Sequence, residues 1–138
     1  MKLYSDETQH QAVRGLDLFV VSCVARIEVP AAIWRKQRIG ELDVADAALL
    51  TRDFEADWAA AGAEGGRFVV IGLPSGLLEQ ASSLVASHGL RAYDAIQLAS
   101  GMAARQADHG CDSFGCFDGD LRRAAAVEGF TLVPNELV

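Results

Sequence analysis

The sequence predicts an α/β protein, in which a parallel sheet carries helices on both faces and residues 1–138 form one domain. Short apolar runs rich in β-branched residues are typical of strands that are buried on both faces. Longer segments with helical spacing of apolar residues lie between them, in the order β-α-α-β-α-α-β-α-β. This alternation favours crossover connections, and therefore parallel strands. Hydrophobic residues make up 51% of the chain, which is enough for a real core.

The elements of the first half follow from their end signals. Ser22 is a good N-cap, and Pro30 makes its helix either start late or bend. Asp43 opens the next helix, which glycines end. Its apolar stripe is Leu49, Leu50, Phe54 and Trp58. The predicted elements are a helix over 7–16, a strand over 18–22, a helix over 22–38, a helix over 43–61 and a strand over 67–71.

The second half is punctuated in the same way. Pro74 and Ser75 begin a helix that Gly89 stops, and Gly115 interrupts a weaker strand. The residues predicted to face inward on the longest helix of this half are Tyr93, Ile96, Leu98 and Met102. The predicted elements are a helix over 74–88, a helix over 91–108, a strand over 111–117, a helix over 119–128 and an edge strand over 130–133.

Three acidic residues lie among apolar residues near the starts of predicted helices: Glu28, Asp94 and Asp118. A carboxylate in such a setting is costly unless it is paired or bound to a metal. Ligands of open parallel sheets bind beyond the carboxyl ends of the strands. Asp118 directly follows a predicted strand, and Glu28 follows another by about one and a half helical turns. We therefore expect the three acids to meet at one rim of the sheet and to hold a hard divalent cation.

Other roles for these acids stay open on the residues alone. Glu28 could pair with Arg26 or Arg91, or cap a helix. Asp94 could be a first-turn acid that the helix dipole favours, and Asp118 could be the N-cap of the helix that follows. Considered by itself, Glu28 favours such a role, and for Asp94 it has at least as much weight as metal binding. Capping by Asp118 is compatible with a ligand role.

Composition restricts the classes of partner. The formal net charge of −7 disfavours a broad nucleic-acid-binding surface, although a bound metal can offset acidic charge where a phosphate approaches. The longest apolar runs are too short to span a bilayer, so no membrane partner is predicted. Cys23, Cys111 and Cys116 are odd in number and form no C-x-x-C pair, which fits a reduced cytoplasmic chain with small buried thiols.

Three blocks together resemble the PIN-domain proteins of the VapC toxin type, over nearly the whole chain. One block opens the family's second helix with Ser or Thr and then Glu. It corresponds here to Ser22-Cys-Val-Ala-Arg-Ile-Glu-Val-Pro-Ala-Ala-Ile-Trp34. The others are Leu90-Arg-Ala-Tyr-Asp-Ala-Ile-Gln-Leu-Ala99 and Phe117-Asp-Gly-Asp-Leu-Arg-Arg-Ala-Ala125. They occur in the family's order and at similar separations.

The resemblance implies the toxin of a type II toxin–antitoxin pair. Such a toxin is an endoribonuclease that uses Mg²⁺ or Mn²⁺ to cleave structured RNA, commonly transfer or ribosomal RNA. Its partners are an antitoxin, which inserts a peptide into the active-site groove, and a second copy in a homodimer. By motif, Glu28, Asp94 and Asp118 are the catalytic metal ligands and Asp120 is a weaker addition. The predicted substrate-binding residues are Arg91 and Ser22.

The start of the chain departs from the family pattern. The family begins with a central strand that carries the first catalytic Asp, whereas Met1-Lys-Leu-Tyr-Ser-Asp-Glu7 resembles only the end of that block. Asp6 does not replace the missing acid. A mis-assigned start, a truncated chain or a degenerate toxin would each account for this. The sequence therefore predicts weak or absent nuclease activity, and Mn²⁺-dependent turnover lost in Asp94→Asn would contradict that expectation.

Two other functional classes are also open on these residues. A PIN-like binding module would engage an antitoxin or its own copy through an apolar groove formed by Ile33, Trp34, Leu49, Leu50 and Phe54. A doubly wound phosphatase would use Asp118 and Asp120, but the expected downstream Lys and acids are missing. Arg122 and Arg123 could contact phosphate, although a solvated helix face is the favoured interpretation.

Overall fold

The computed structural model describes residues 18–136, which fold into helices alternating with short strands. The helices are α1 (Ala25–Arg38), α2 (Val44–Ala59), α3 (Ser75–His88), α4 (Ala92–Ala107) and α5 (Gly119–Val127). The strands are β1 (Phe19–Ser22), β2 (Phe68–Ile71), β3 (Ser113–Gly115) and β4 (Thr131–Val133). The α/β class and the predicted order over this range are confirmed. The helix predicted over 7–16 lies outside the described residues.

The strands form two small sheets instead of one continuous sheet over residues 18–136. β1 pairs with β2, and β3 pairs with β4. The second pair is parallel, with Phe114 opposite Leu132 in its centre. The single parallel sheet that was predicted is therefore not seen in this range. Each strand is only three or four residues long and so offers few backbone hydrogen bonds to further neighbours.

The described residues divide into two compact units. The first comprises residues 18–19 and Cys23–Val70, and the second comprises Val20–Ser22 and residues 71–136. No helix in the described range is both long enough and apolar enough to cross a membrane. The single domain predicted over 1–138 stays a prediction.

The first unit packs α1 against α2 around an aromatic cluster. The Phe54 ring lies 5.7 Å from Trp58 and 6.1 Å from Phe68, between ring centroids. α2 begins as predicted, because the Asp43 side chain accepts a hydrogen bond from the Asp46 amide at 2.7 Å. The contact with the Phe54 ring makes Trp58 a packing residue, as expected.

The start of α1 differs from the prediction. Ser22 ends β1 and is buried, and the chain turns for two residues before the helix begins at Ala25. The capping position is held by Val24, which has no side chain able to accept a hydrogen bond. The prediction of Ser22 as N-cap is therefore wrong. Pro30 lies inside the late-starting helix.

The second unit packs α3 and α4 together over β3, β4 and α5. Its core includes Leu84, Leu98, Leu121 and Phe130. Tyr93, predicted to face inward, is 54% exposed. Five residues separate Tyr93 from Leu98, which turns the two side chains about 140° apart around the helix axis. The predicted stop at Gly89 is confirmed, because this residue ends α3 with a left-handed φ of 66°.

Gly101 provides a stability prediction, because α4 packs tightly against an aromatic ring there. A Cβ added at Gly101 would lie 2.9 Å from Cε2 of Phe114, whose ring is also packed on Phe130. We expect Gly101→Ala to lower the free energy of unfolding by about 1–2 kcal/mol, since overpacking exceeds the gain in helix propensity. Urea denaturation measures this change.

Gly76 is the matched control, because it is also a helical glycine. A Cβ at Gly76 would meet nothing within 4 Å. Gly76→Ala should therefore be neutral or stabilise the fold by up to about 1 kcal/mol. Equal stabilisation by both substitutions would show that the contact at Gly101 relaxes without cost.

Candidate functional site

The predicted acids are divided between the two units. Glu28 lies in the first turn of α1, in the first unit, and is half-buried. Asp94, Asp118 and Asp120 all lie in the second unit. Arg26 was predicted as a possible partner of Glu28, and it forms an ion pair with Glu55 at 2.8 Å.

The second unit brings three aspartates within electrostatic reach of one another. Asp94 is half-buried in the first turn of α4, whereas Asp118 and Asp120 are exposed at the start of α5. The pKa of the Asp94 carboxyl is raised, first by burial and then by the negative charge of Asp118. Arg91 opposes this rise and Asp120 adds to it. Elements far apart in sequence therefore place their carboxylates in one neighbourhood, as predicted for Asp94 and Asp118.

Asp118 is the N-cap of α5. Its Oδ1 accepts a hydrogen bond from the Leu121 amide at 3.0 Å, which confirms the capping role that the sequence suggested. Each carboxylate oxygen can accept more than one hydrogen bond or metal bond. Capping and metal binding are therefore compatible at this residue.

The other predicted site residues and Arg122 differ in their surroundings. Asp120 lies in the first turn of α5 and accepts a hydrogen bond from the exposed Arg123. Arg91 precedes α4 at the capping position and is exposed. Ser22 is buried at the end of β1. Arg122 is buried, so the solvated helix face predicted for it is wrong, because its guanidinium donates to backbone carbonyls inside the unit.

Cys116 lies two residues before Asp118, in the connection between β3 and α5. Burial raises the pKa of the Cys116 thiol to about 11, so this group stays protonated at neutral pH. Its Sγ donates to the Asp118 carbonyl at 3.5 Å. All three cysteines are free, but Cys23 and Cys111 are only half-buried. The prediction of small buried thiols is therefore confirmed for Cys116 alone.

The donor chemistry of the three aspartates fits a hard cation. Carboxylate oxygens are the ligands that Mg²⁺ and Mn²⁺ prefer, and a cation would relieve the repulsion between Asp94 and Asp118. Within residues 18–136, however, no group of three or more His, Cys, Asp or Glu residues is arranged to hold a metal ion. A cation held by all three aspartates would therefore require their side chains to move from the positions seen in this structure.

Two of the five apolar residues that were predicted to form a partner groove are in the core, and Trp34 and Leu50 are half-buried. Ile33 and Phe54 are fully buried in the first unit, whereas Leu49 is exposed. In the second unit, a groove of about 720 Å³ lies between the start of α3 and the second half of α4. Its lining includes Leu77 and Met102 and none of the three aspartates.

The chain has no significant similarity to a protein-family model, a curated protein or a solved structure. Any inference about function therefore depends on the geometry of the second unit and on the resemblance in the three sequence blocks.

The raised pKa of Asp94 predicts how stability depends on pH. The folded state binds the Asp94 proton more tightly than the unfolded state, where the pKa is about 3.8. The contribution of Asp94 to the free energy of unfolding is therefore fully present below that pH. It is lost as the pH rises through the higher pKa of the folded state. We expect Asp94→Asn to be more stable than the wild type at neutral pH, and this advantage should vanish in acid.

Denaturation of both proteins across this pH range measures the difference in free energy of unfolding. Asp53→Asn is the control, because Asp53 is an exposed acid on α2. Its difference from the wild type should not follow the same curve. An Asp94→Asn protein that is less stable than the wild type at neutral pH would mean that its charge stabilises the fold.

Proposed function

We propose that the chain is a metal-dependent endoribonuclease that cleaves structured RNA, and that it acts as the toxin of a toxin–antitoxin pair. The observation that carries the proposal is the half-buried Asp94, whose carboxyl lies in the field of Asp118 and has a raised pKa. Repulsion between clustered carboxylates destabilises a fold, and acids with perturbed pKa values concentrate at functional sites, where such a cost is retained. The three sequence blocks around Glu28, Asp94 and Asp118 agree with this function.

The chemistry of the site would be divided among residues of different types. Asp94 and Asp118 would hold Mg²⁺ or Mn²⁺, with Asp120 as a weaker ligand and Glu28 assigned by resemblance. Bound there, the cation would polarise the scissile phosphate and lower the pKa of an attacking water. Arg91 is exposed next to Asp94 and has the fork of donors that suits a phosphate.

A PIN-type architecture is part of the same proposal. The parallel β3–β4 pair, with α5 directly between its strands in sequence, is compatible with such an architecture. An antitoxin peptide and a second copy of the chain are the proposed protein partners, and the cytoplasm is the proposed location.

The test is cleavage of a structured RNA, such as a transfer RNA, by the purified chain with Mn²⁺. The proposal expects cleavage that requires Mn²⁺, that Asp94→Asn abolishes and that Asp53→Asn leaves unchanged. Absence of Mn²⁺ binding in calorimetry, together with tight binding of an antitoxin, would overturn the nuclease in favour of a PIN-like binding module.

A further inference from the structure

Arg122 is a buried cation in the second unit, with 7% of its surface exposed. It lies on α5, one turn after Asp118, and its backbone amide donates to the Asp118 carbonyl at 2.9 Å. Its guanidinium donates to the Cys116 carbonyl at 3.0 Å through Nη1 and to the Asn135 carbonyl at 3.2 Å through Nη2. The burial of a guanidinium is costly, so its position calls for a specific role.

The two carbonyls belong to segments that are distant in sequence. Cys116 precedes Asp118 by two residues in the connection between β3 and α5, and Asn135 follows β4. The Cys116 amide also donates to the Val133 carbonyl at 3.2 Å. Arg122 therefore joins the segment that carries Asp118 to the chain that leaves the neighbouring strand.

The short segment 116–118 is held by hydrogen bonds at both of its ends, Cys116 and Asp118. The Cys116 amide, carbonyl and thiol are all hydrogen-bonded, and the Asp118 side chain is fixed by the Leu121 amide. Removal of the guanidinium would release the Cys116 carbonyl within this network. A buried carbonyl without a partner destabilises the conformation that contains it.

We propose that Arg122 is a positioning residue, which fixes the segment 116–118 so that the Asp118 carboxylate stays beside Asp94. The inference rests on the proposed function, because that pair of carboxylates is the proposed cation site. Arg122 itself does not touch the cation or the RNA, since it is buried behind the segment it holds. Its effect on the site is transmitted through the Cys116 carbonyl.

Arginine suits this role better than lysine because of its shape. A planar guanidinium presents several N–H groups in a fixed fork, so one side chain can reach two separate carbonyls. A lysine ammonium is a single compact donor group, which would hold one of the carbonyls well and the other poorly. Arg122→Lys should therefore retain part of the positioning of segment 116–118, whereas Arg122→Gln should lose most of it.

The experiment compares Mn²⁺ affinity, measured by calorimetry, with amide hydrogen exchange in the metal-free protein. We expect Arg122→Gln to weaken Mn²⁺ binding about tenfold or more, which is typical for loss of a group that orients a metal ligand. It should also speed exchange at the amide of Leu121, which the Asp118 side chain caps. Arg122→Lys should fall between Arg122→Gln and the wild type in both measurements.

Arg105→Gln is the matched control. Arg105 also donates to a backbone carbonyl, that of Glu128 at 2.8 Å, and its guanidinium lies 4.0 Å from the Phe130 ring centroid. It is on α4, roughly 16 Å along the helix axis from Asp94. Its loss should reduce stability while leaving Mn²⁺ affinity and the exchange of the Leu121 amide unchanged.

The outcomes separate this inference from the proposed function. If the wild type binds Mn²⁺ and Arg122→Gln binds it equally well, the positioning role is wrong and the proposed site stands. If the wild type does not bind Mn²⁺, the proposed site fails, and unchanged exchange at Leu121 in Arg122→Gln would overturn the positioning of Asp118 as well. If Arg122→Gln does not fold, Arg122→Lys is measured in its place. Wild-type Mn²⁺ affinity and wild-type exchange at the Leu121 amide in that variant would refute the positioning role, which needs both hydrogen bonds of the guanidinium.

Discussion

Replacing Leu98 by alanine is expected to lower the free energy of unfolding by about 2–5 kcal/mol. Leu98 is 0% exposed and belongs to the core that α3, α4 and α5 share in the second unit. Truncation there loses the burial of three carbon atoms and leaves a cavity that a packed core fills only in part. Urea denaturation gives the change as a lower midpoint with an unchanged slope.

Leu78→Ala is the control, because it makes the same chemical change on α3. Leu78 is 44% exposed, so its truncation should cost less than about 1 kcal/mol. Equal losses at the two positions would mean that Leu98 is not a core residue in solution. The contrast matters for the site, because Leu98 lies one helical turn after Asp94 and helps to hold the start of α4 against the core.

Helix ends were the most predictable part of the fold, because each depends on a few adjacent residues. Asp43 and Asp118 each accept a hydrogen bond from the amide three residues ahead, and Gly89 adopts the left-handed conformation that favours glycine. Ser22 was predicted by the same logic and is not a cap. β1 extends to Ser22 itself, so this residue belongs to a strand that pairs with β2. Strand pairing depends on distant residues, which the capping preference of a single residue does not take into account.

Strand extent and pairing could not be predicted for the same reason. The apolar runs give the location of each strand but not its partner, and the hydrogen bonds that define a strand come from distant segments. The run over 111–117 shows this, because only Ser113–Gly115 pairs with β4. The continuous sheet was inferred from the order of the elements, and that order is compatible with the two small sheets seen in the described residues.

The candidate site was predicted in part. Asp94 and Asp118 were expected to meet because one begins a helix and the other follows a strand, and they do influence each other electrostatically. The buried Arg122 was missed, because sequence patterns assign arginine to the surface unless a carboxylate partner is evident. Its partners are backbone carbonyls. Every residue has a carbonyl, so the sequence does not indicate which of them an arginine will bind. The place of Glu28 in the site remains a prediction.

Asp118→Asn is expected to weaken Mn²⁺ binding about tenfold or more while leaving the free energy of unfolding within about 0.5 kcal/mol of the wild type. Asparagine is as good an N-cap as aspartate, so the hydrogen bond from the Leu121 amide is kept. The substitution removes the negative charge that a cation would bind. Burial is the main cause of the raised pKa of Asp94, and the charge of Asp118 adds to it, so that pKa should fall part of the way toward its ordinary value. Calorimetry measures the affinity, and the carboxyl NMR signal of Asp94 measures its pKa.

Asp43→Asn separates the charge effect from the substitution itself, because Asp43 caps α2 with the same side-chain hydrogen bond. It should change neither Mn²⁺ affinity nor the pKa of Asp94. Asp118→Ala should lose both the charge and the cap, and therefore cost about 1 kcal/mol of stability in addition to the affinity. Undiminished Mn²⁺ binding in Asp118→Asn would leave Asp118 with its capping role alone. Weak binding in Asp118→Asn, with a stable fold, would show that a single carboxylate both begins α5 and binds the cation.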